Sequence, residues 1–162
     1  MSSNPLHPKR AGTSVEAAVI EREPALAPVD DREAEWHDAE TTAVLEPRVE
    51  RPLGGVCLVE PEMPVEIKGC VPEQSNGADS TPGRWYIKQD AHDQLAAAHG
   101  FYYMVVYAPL PETPIVSGMV LPAATVGEFL SERWYDTGRS EGVVAKLSWP
   151  TLFDREVVSR DP

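Results

Sequence analysis

Glu66 and Lys68 stand two residues apart in the run Val65-Glu66-Ile67-Lys68. On an extended strand their side chains share one face, while Val65 and Ile67 share the other and point into a core. A carboxylate beside an ammonium on such a strand suits metal-dependent hydrolysis of a phosphodiester. The carboxylate helps to hold a divalent cation, Mg²⁺ or Mn²⁺, which polarises the phosphate and lowers the pKa of bound water. The lysine positions or activates that water and stabilises the charge that develops on phosphorus-bound oxygen. A second carboxylate from a neighbouring strand is normally needed to fix the metal. Taken alone, Glu66-Ile67-Lys68 reads first as a surface ion pair on a half-exposed strand.

The elements around this run follow from pattern. Residues 1 to 29 are rich in Pro, Ser, Ala and Glu without lasting periodicity, and Pro24 and Pro28 end any short helix there. Composition predicts a disordered arm over 1–29 and a single α/β domain over 30–162. Asp30 to Glu35 is acidic, and Trp36, Ala39, Ala43 and Val44 recur at helical spacing, which predicts a helix that Pro47 closes. Gly55 to Val59 and Val65 to Lys68 are apolar runs joined by a segment with two prolines, a β-hairpin pattern in which Cys57 and Cys70 are strand residues. Residues 71 to 83 read as a flexible loop, and Arg84 to Lys88 as a third strand. Asp90 is placed to cap a helix over Ala91 to His99, which Gly100 ends. Phe101 to Ala108 is nearly all aromatic and β-branched, the pattern of a buried central strand. Ile115 to Leu121, a helix from Pro122 through Trp134, and Val143 to Trp149 complete an α-β-β-β-α-β-β-α-β order.

This order, with the Glu-x-Lys strand and the stretch Gly83-Arg84-Trp85-Tyr86-Ile87-Lys88-Gln89-Asp90-Ala91-His92-Asp93-Gln94-Leu95 followed by Phe101-Tyr102-Tyr103-Met104-Val105-Val106-Tyr107, resembles the PD-(D/E)xK nuclease superfamily. That superfamily includes archaeal Holliday-junction resolvases and many restriction enzymes, and the stretch looks like the segment after the Glu-x-Lys strand in small members from salt-loving archaea and their viruses. The resemblance spans roughly residues 31 to 135. It implies a restriction-endonuclease-like αβββαβ core with a mixed sheet, here with a C-terminal β-α-β extension. It implies a metal-dependent endonuclease acting on duplex or branched DNA, with Glu66 as metal ligand, Lys68 beside the attacking water, and dimers that address two strands. Lys88 and Gln89 fall where this fold often places a polar residue against phosphate or water. His92, on the following helix, is within reach of the same site. Glu35 matches the helix-borne acid that some members use.

The resemblance also calls for an acidic residue, usually Asp, on the strand about ten residues before Glu66. Pro52 to Leu58 offers none, and the nearest acids are Glu50, Glu60 and Glu62. Glu60 serves only if the hairpin register carries it to Glu66. The alternative is a catalytically inactive nucleic-acid-binding or protein-interaction module on the same fold. Trp85, Tyr86, Trp134 and Tyr135 are candidates for stacking on bases, with core packing as the ordinary alternative.

Bulk composition bounds these readings. The chain of 162 residues carries 26 acidic and 14 basic side chains, a net charge of −12, and only four of the basic residues are lysines. Such a balance suits a protein of a salt-loving organism, whose acidic surface stays hydrated. A net negative chain repels nucleic acid at low salt, but molar salt screens charge within about 3 Å. No apolar run is long enough to span a membrane, the N-terminus lacks signal-peptide order, and two cysteines make no disulfide framework, so a cytoplasmic protein is expected. The acidic side chains repel one another with little basic compensation, so stability should rise steadily from low to molar KCl. Thermal melts across that series test this; a flat series would remove the salt-loving reading.

Overall fold

Val15 and Val19 lie one helical turn apart, and both are buried against the sheet. They belong to α1 (Pro8–Arg22), after which Glu23-Pro24 turns the chain into β1 (Leu26–Pro28). The computed structural model describes residues 8–30 and 36–159, without the side chains of residues 8–14, 76, 157 and 159. The expected separate arm is therefore corrected over 8–28: this segment packs on the domain, and residues 1–7 lie outside the described residues. Composition misled because the buried stripe is short and set among polar residues. A Cβ built on Gly69 would come within 2.8 Å of the Val15 side chain, so the glycine is what lets α1 sit this close to the sheet.

The helix expected from Asp30 to Val44 is likewise corrected where it is described. Ala39–Thr41 forms β2, with Ala39 and Thr41 buried and Glu40 exposed. Period-2 burial and pairing on both edges override the helical spacing. β3 (Pro64–Cys70) pairs with β2 antiparallel and with β7 (Phe101–Tyr107) parallel, so it has no hairpin partner just upstream. Residues 42–63 instead form a long connection, tied down by isolated bridges Leu45–Val59 and Leu53–Val120. Of the run Gly55 to Val59, only Val59 is buried, and Cys57 is exposed in the connection while Cys70 is a buried strand residue. The loop expected at 71–83 is a hairpin of β4 (Glu73–Asn76) and β5 (Asp79–Pro82), turned by Gly77 at φ +71°.

Downstream, sequence and structure agree closely. β6 (Arg84–Lys88) leads into α2 (Gln89–Ala97), with Asp90 inside the first turn instead of capping it. β7 is followed by β8 (Ile115–Pro122), α3 (Ala123–Leu130), the short β9 (Tyr135–Asp136), β10 (Val143–Ser148) and α4 (Arg155–Ser159). The main sheet has the order β1-β2-β3-β7-β8, and a second sheet has the order β6-β10-β9. Reading α1, β1, β2, β3, α2 and β7 in chain order gives αβββαβ, the expected core assembled from partly different segments.

The main sheet divides two cores. Val65, Ile67, Tyr103 and Val105 face Val15 and Val19 of α1. Cys70, Tyr102, Met104 and Val106 face Leu95 of α2, Val126 and Leu130 of α3, and the inner side of the second sheet, Trp85, Ile87, Ala145 and Leu147. By alternation Glu66 and Lys68 lie on this second side. Among the described residues no helix is long and apolar enough to cross a membrane.

A buried ion pair fixes the α1–β1 junction. Glu23 is 1% exposed and accepts hydrogen bonds from Arg51 Nε at 2.6 Å, from the Tyr103 hydroxyl at 2.6 Å and from Arg48 at 2.8 Å. Arg51 is itself 4% exposed. Truncating one member of such a pair leaves the other charged and dry, which costs about 3–5 kcal/mol. Glu23→Ala should therefore destabilise the chain by about that amount in urea unfolding. A loss of under about 1 kcal/mol would mean that the junction is wet and α1 is only loosely held.

Candidate active site

β3 is the inner strand between β2 and β7, and its polar face is where two carboxyl groups, Asp38 and Glu66, and one lysine converge. The Asp38 N–H donates to the Val65 carbonyl at 2.9 Å, and Asp38 Oδ2 accepts from the Ile67 N–H at 2.7 Å. With Ala39 opposite Val65, these bonds set Asp38 across from Glu66. The two carboxyl groups share a hydrogen bond, and Lys68 Nζ lies 3.6 Å from Glu66 Oε2. Glu66 is 14% exposed and Lys68 25% exposed, so the pair is mostly withdrawn from water but open on one side.

This environment holds the Glu66 proton. Burial pushes its pKa up to about 9; the hydrogen bond with Asp38 adds to the rise, Lys68 opposes it, and the charges of Asp38 and Glu16 add further. Glu16 stands on α1, next to the buried Val15, so the helix that composition assigned to a disordered arm brings a charge near enough to act on Glu66. Opposite Glu66 on the parallel β7 ladder is Tyr102, whose phenol is held above its ordinary range by burial first and then by the charges of Glu66 and Asp93. The Tyr102 hydroxyl and His92 Nδ1 are 2.8 Å apart, and the two rings stack. Burial lowers the His92 pKa, against the pull of Asp93, which favours the neutral ring.

Each expected site residue within the described residues has a definite place. Glu66 and Lys68 are brought together. His92 is buried on α2 and meets the site through Tyr102. Lys88 is exposed, on the side of β6 opposite to Trp85 and Ile87, and Gln89 is half-buried at the start of α2; neither forms a hydrogen bond or ion pair with Glu66 or Lys68. Glu60 is corrected: its side chain is exposed, and its carbonyl accepts from Thr41 Oγ1 at 2.6 Å, at the far end of β2 from Asp38 and about 10 Å along the strand. Glu35 lies outside the described residues. Sequence reasoning missed Asp38, because it searched about ten residues upstream for a hairpin partner that does not form. The available signal was the alternation Asp38-Ala39-Glu40-Thr41, too short to outweigh the helical spacing around it.

A family model for the PD-(D/E)XK nuclease superfamily domain matches residues 1–154. The chain belongs to the PD-(D/E)XK nuclease superfamily. No curated protein and no solved structure matches it. The match includes α1 and β1, in keeping with their packing on the domain. Members of this superfamily generally use divalent metal ions, and the nuclease site is where carboxyl groups should accumulate. Among the described residues no cluster of three or more metal-binding side chains is preformed. Two carboxyl groups do face each other at Asp38 and Glu66. That donor set fits a hard cation bound by one or two carboxylates and completed by water and phosphate oxygen.

The raised Glu66 pKa has a consequence for stability. Unfolded, Glu66 ionises near 4.5; folded, it keeps its proton up to about 9. Between those values the folded chain binds more protons, so this contribution is complete below the lower value and is lost as pH rises toward the upper one. In metal-free buffer, urea unfolding from about pH 5 to pH 9 should show falling stability, and Glu66→Gln should flatten most of the slope. An equally steep slope in the variant would place the titration at another group.

Proposed function

We propose that this nuclease-superfamily chain is a metal-dependent DNA endonuclease, of the resolvase or restriction type, whose site is Asp38, Glu66 and Lys68. The observation that carries the reading is the Asp38 carboxyl meeting that of Glu66 across the β2–β3 ladder, with Lys68 3.6 Å from Glu66. Asp38 and Glu66 would hold Mg²⁺ or Mn²⁺ on the open side of β3. Bound there, the cation supplies Lewis-acid polarisation of the phosphate and a water of lowered pKa. To hold the cation Glu66 would release its proton to solvent, so that Asp38 and Glu66 both face it as carboxylates. Lys68 keeps its ammonium beside Glu66, where it orients the attacking water and opposes negative charge on the phosphate. Tyr102, held by His92, walls the site from the core side and keeps Glu66 from turning inward.

Asp38→Asn and Glu66→Gln should each lower metal-dependent cleavage of duplex, nicked or branched DNA by about 10²-fold or more and weaken Mn²⁺ binding in calorimetry. Lys68→Ala should lower turnover comparably yet leave Mn²⁺ binding intact or tighter, because an ammonium is not a ligand and its charge opposes the cation. An ordinary exposed ion pair would give neither effect, only stability changes of about 1 kcal/mol or less. DNA binding without cleavage under any divalent ion would leave the inactive module as the function of this fold.

A further inference from the structure

Of the four aromatic residues that sequence marked as possible stacking groups, the structure sorts two inward and two outward. Trp85 is fully buried, and Trp134 packs against the second core. Tyr86 and Tyr135 stay exposed, at 37% and 44%. Both stand on the outer face of the second sheet, on the two strands that flank β10. Lys146 is the residue of β10 directly paired with Tyr86, and Tyr135 pairs with Val144 one step along the same face. A cleft of about 270 Å³ is lined by both rings together with Lys146 and Arg139.

The charge on this face runs against that of the chain. Arg84 and Lys88 project from β6 on the same side as Tyr86, adding to Lys146 and Arg139. Among the described residues none of these four cations is in an ion pair, whereas Arg48 and Arg51 are taken up by Glu23, Lys68 by Glu66, and Arg155 by the Trp149 ring. Two carboxylates also line the cleft, Asp136, which accepts from the Gly138 N–H at 2.8 Å, and Glu141, which accepts from the Tyr86 hydroxyl at 3.5 Å, so the face sets four cations against two acids. In a chain with 26 acidic and 14 basic residues, a face with unpaired cations around two exposed rings is a local reversal of sign.

We propose that the outer face of the β6-β10-β9 sheet binds single-stranded DNA, with Tyr86 and Tyr135 stacking on unpaired bases and Arg84, Lys88, Arg139 and Lys146 tracking the phosphates. Exposed rings select a single strand, because a duplex keeps its base faces stacked inside and offers tyrosine nothing but backbone. The rings stack without regard to sequence, since every base has a π-face, so the face holds a strand without choosing it. The Lys88 end of this face leads directly into α2, whose His92 touches Tyr102 opposite Glu66. Holding a single strand on this face suits a nuclease acting on junctions, flaps or unwound ends. The choice of DNA over other polyanions rests on the nuclease reading; the stacking and the charge do not.

The test is fluorescence anisotropy of labelled oligothymidine and of a duplex of equal length, with the full chain in EDTA, at the lowest KCl that keeps it folded. Tyr86→Ala and Tyr135→Ala should each weaken oligothymidine binding by about tenfold, while Tyr86→Phe and Tyr135→Phe, which keep the ring, stay near wild type. Lys146→Ala should weaken binding and reduce its salt dependence by about one phosphate contact. Both tyrosines are exposed, so circular dichroism should report all variants folded. Unchanged oligothymidine affinity in the alanine variants, or a duplex bound as tightly as the single strand, overturns the proposal. Because no metal is present, failure here leaves the cleavage site untouched, and absence of cleavage in the presence of metal leaves this binding face standing.

Discussion

The contact on which this structure depends is the meeting of two carboxyl groups, Asp38 and Glu66, on adjacent strands. Two such groups cannot both be charged at close range without compensation. Lys68 compensates in part, and the folded chain resolves the conflict by keeping a proton on Glu66. A fold that needed only stability would replace the pair with apolar side chains, as it does one residue away at Val65 and Ile67, both buried. The arrangement makes sense as a site waiting for positive charge. The strand that carries it is held firmly, because β3 is paired on both edges and its opposite face is packed under α1.

The rest of the fold secures that strand from both faces. On one side α1 lies close over Gly69, and its end is locked by Glu23 against Arg51 and Tyr103. Tyr103 and Tyr102 are neighbours on β7, so one tyrosine answers to the anchor and the next to the site. On the other side His92 on α2 fixes Tyr102, and the ring of His92 is in turn held against Trp134. Polar networks of this kind are fully satisfied or costly, and here they tie α1, β7 and α2 to the sheet on both sides of β3.

The acidity of the chain is not uniform in its consequences. The buried Arg51 and the half-exposed Arg48 neutralise Glu23, and Lys68 lies beside Glu66. Where cations are exposed and unpaired, on the outer face of the second sheet, they gather about Tyr86 and Tyr135. A nuclease with a net charge of −12 must overcome repulsion from its substrate. A confined patch of reversed sign does so while the remaining surface keeps its negative charge.

What the sequence determined by itself was local. Alternation of period two put Glu66 and Lys68 on one face of a strand, and the unbroken apolar run marked Phe101–Tyr107 as central; both hold because side-chain direction along a strand needs no knowledge of its neighbours. The strand–helix–strand succession from Arg84 through Pro122 was legible for the same reason. Only the tertiary structure decided which strand lies beside β3. That partner is a three-residue strand reached across the long connection 42–63, and pairing at such separation is settled by the closing of the sheet, not by spacing. The same applies to α1, whose two valines form a core only once Gly69 admits them, and to the aromatic residues. Trp85 and Tyr86 are adjacent in sequence, yet one is core and the other surface, because the second sheet turns just one of its faces to the domain.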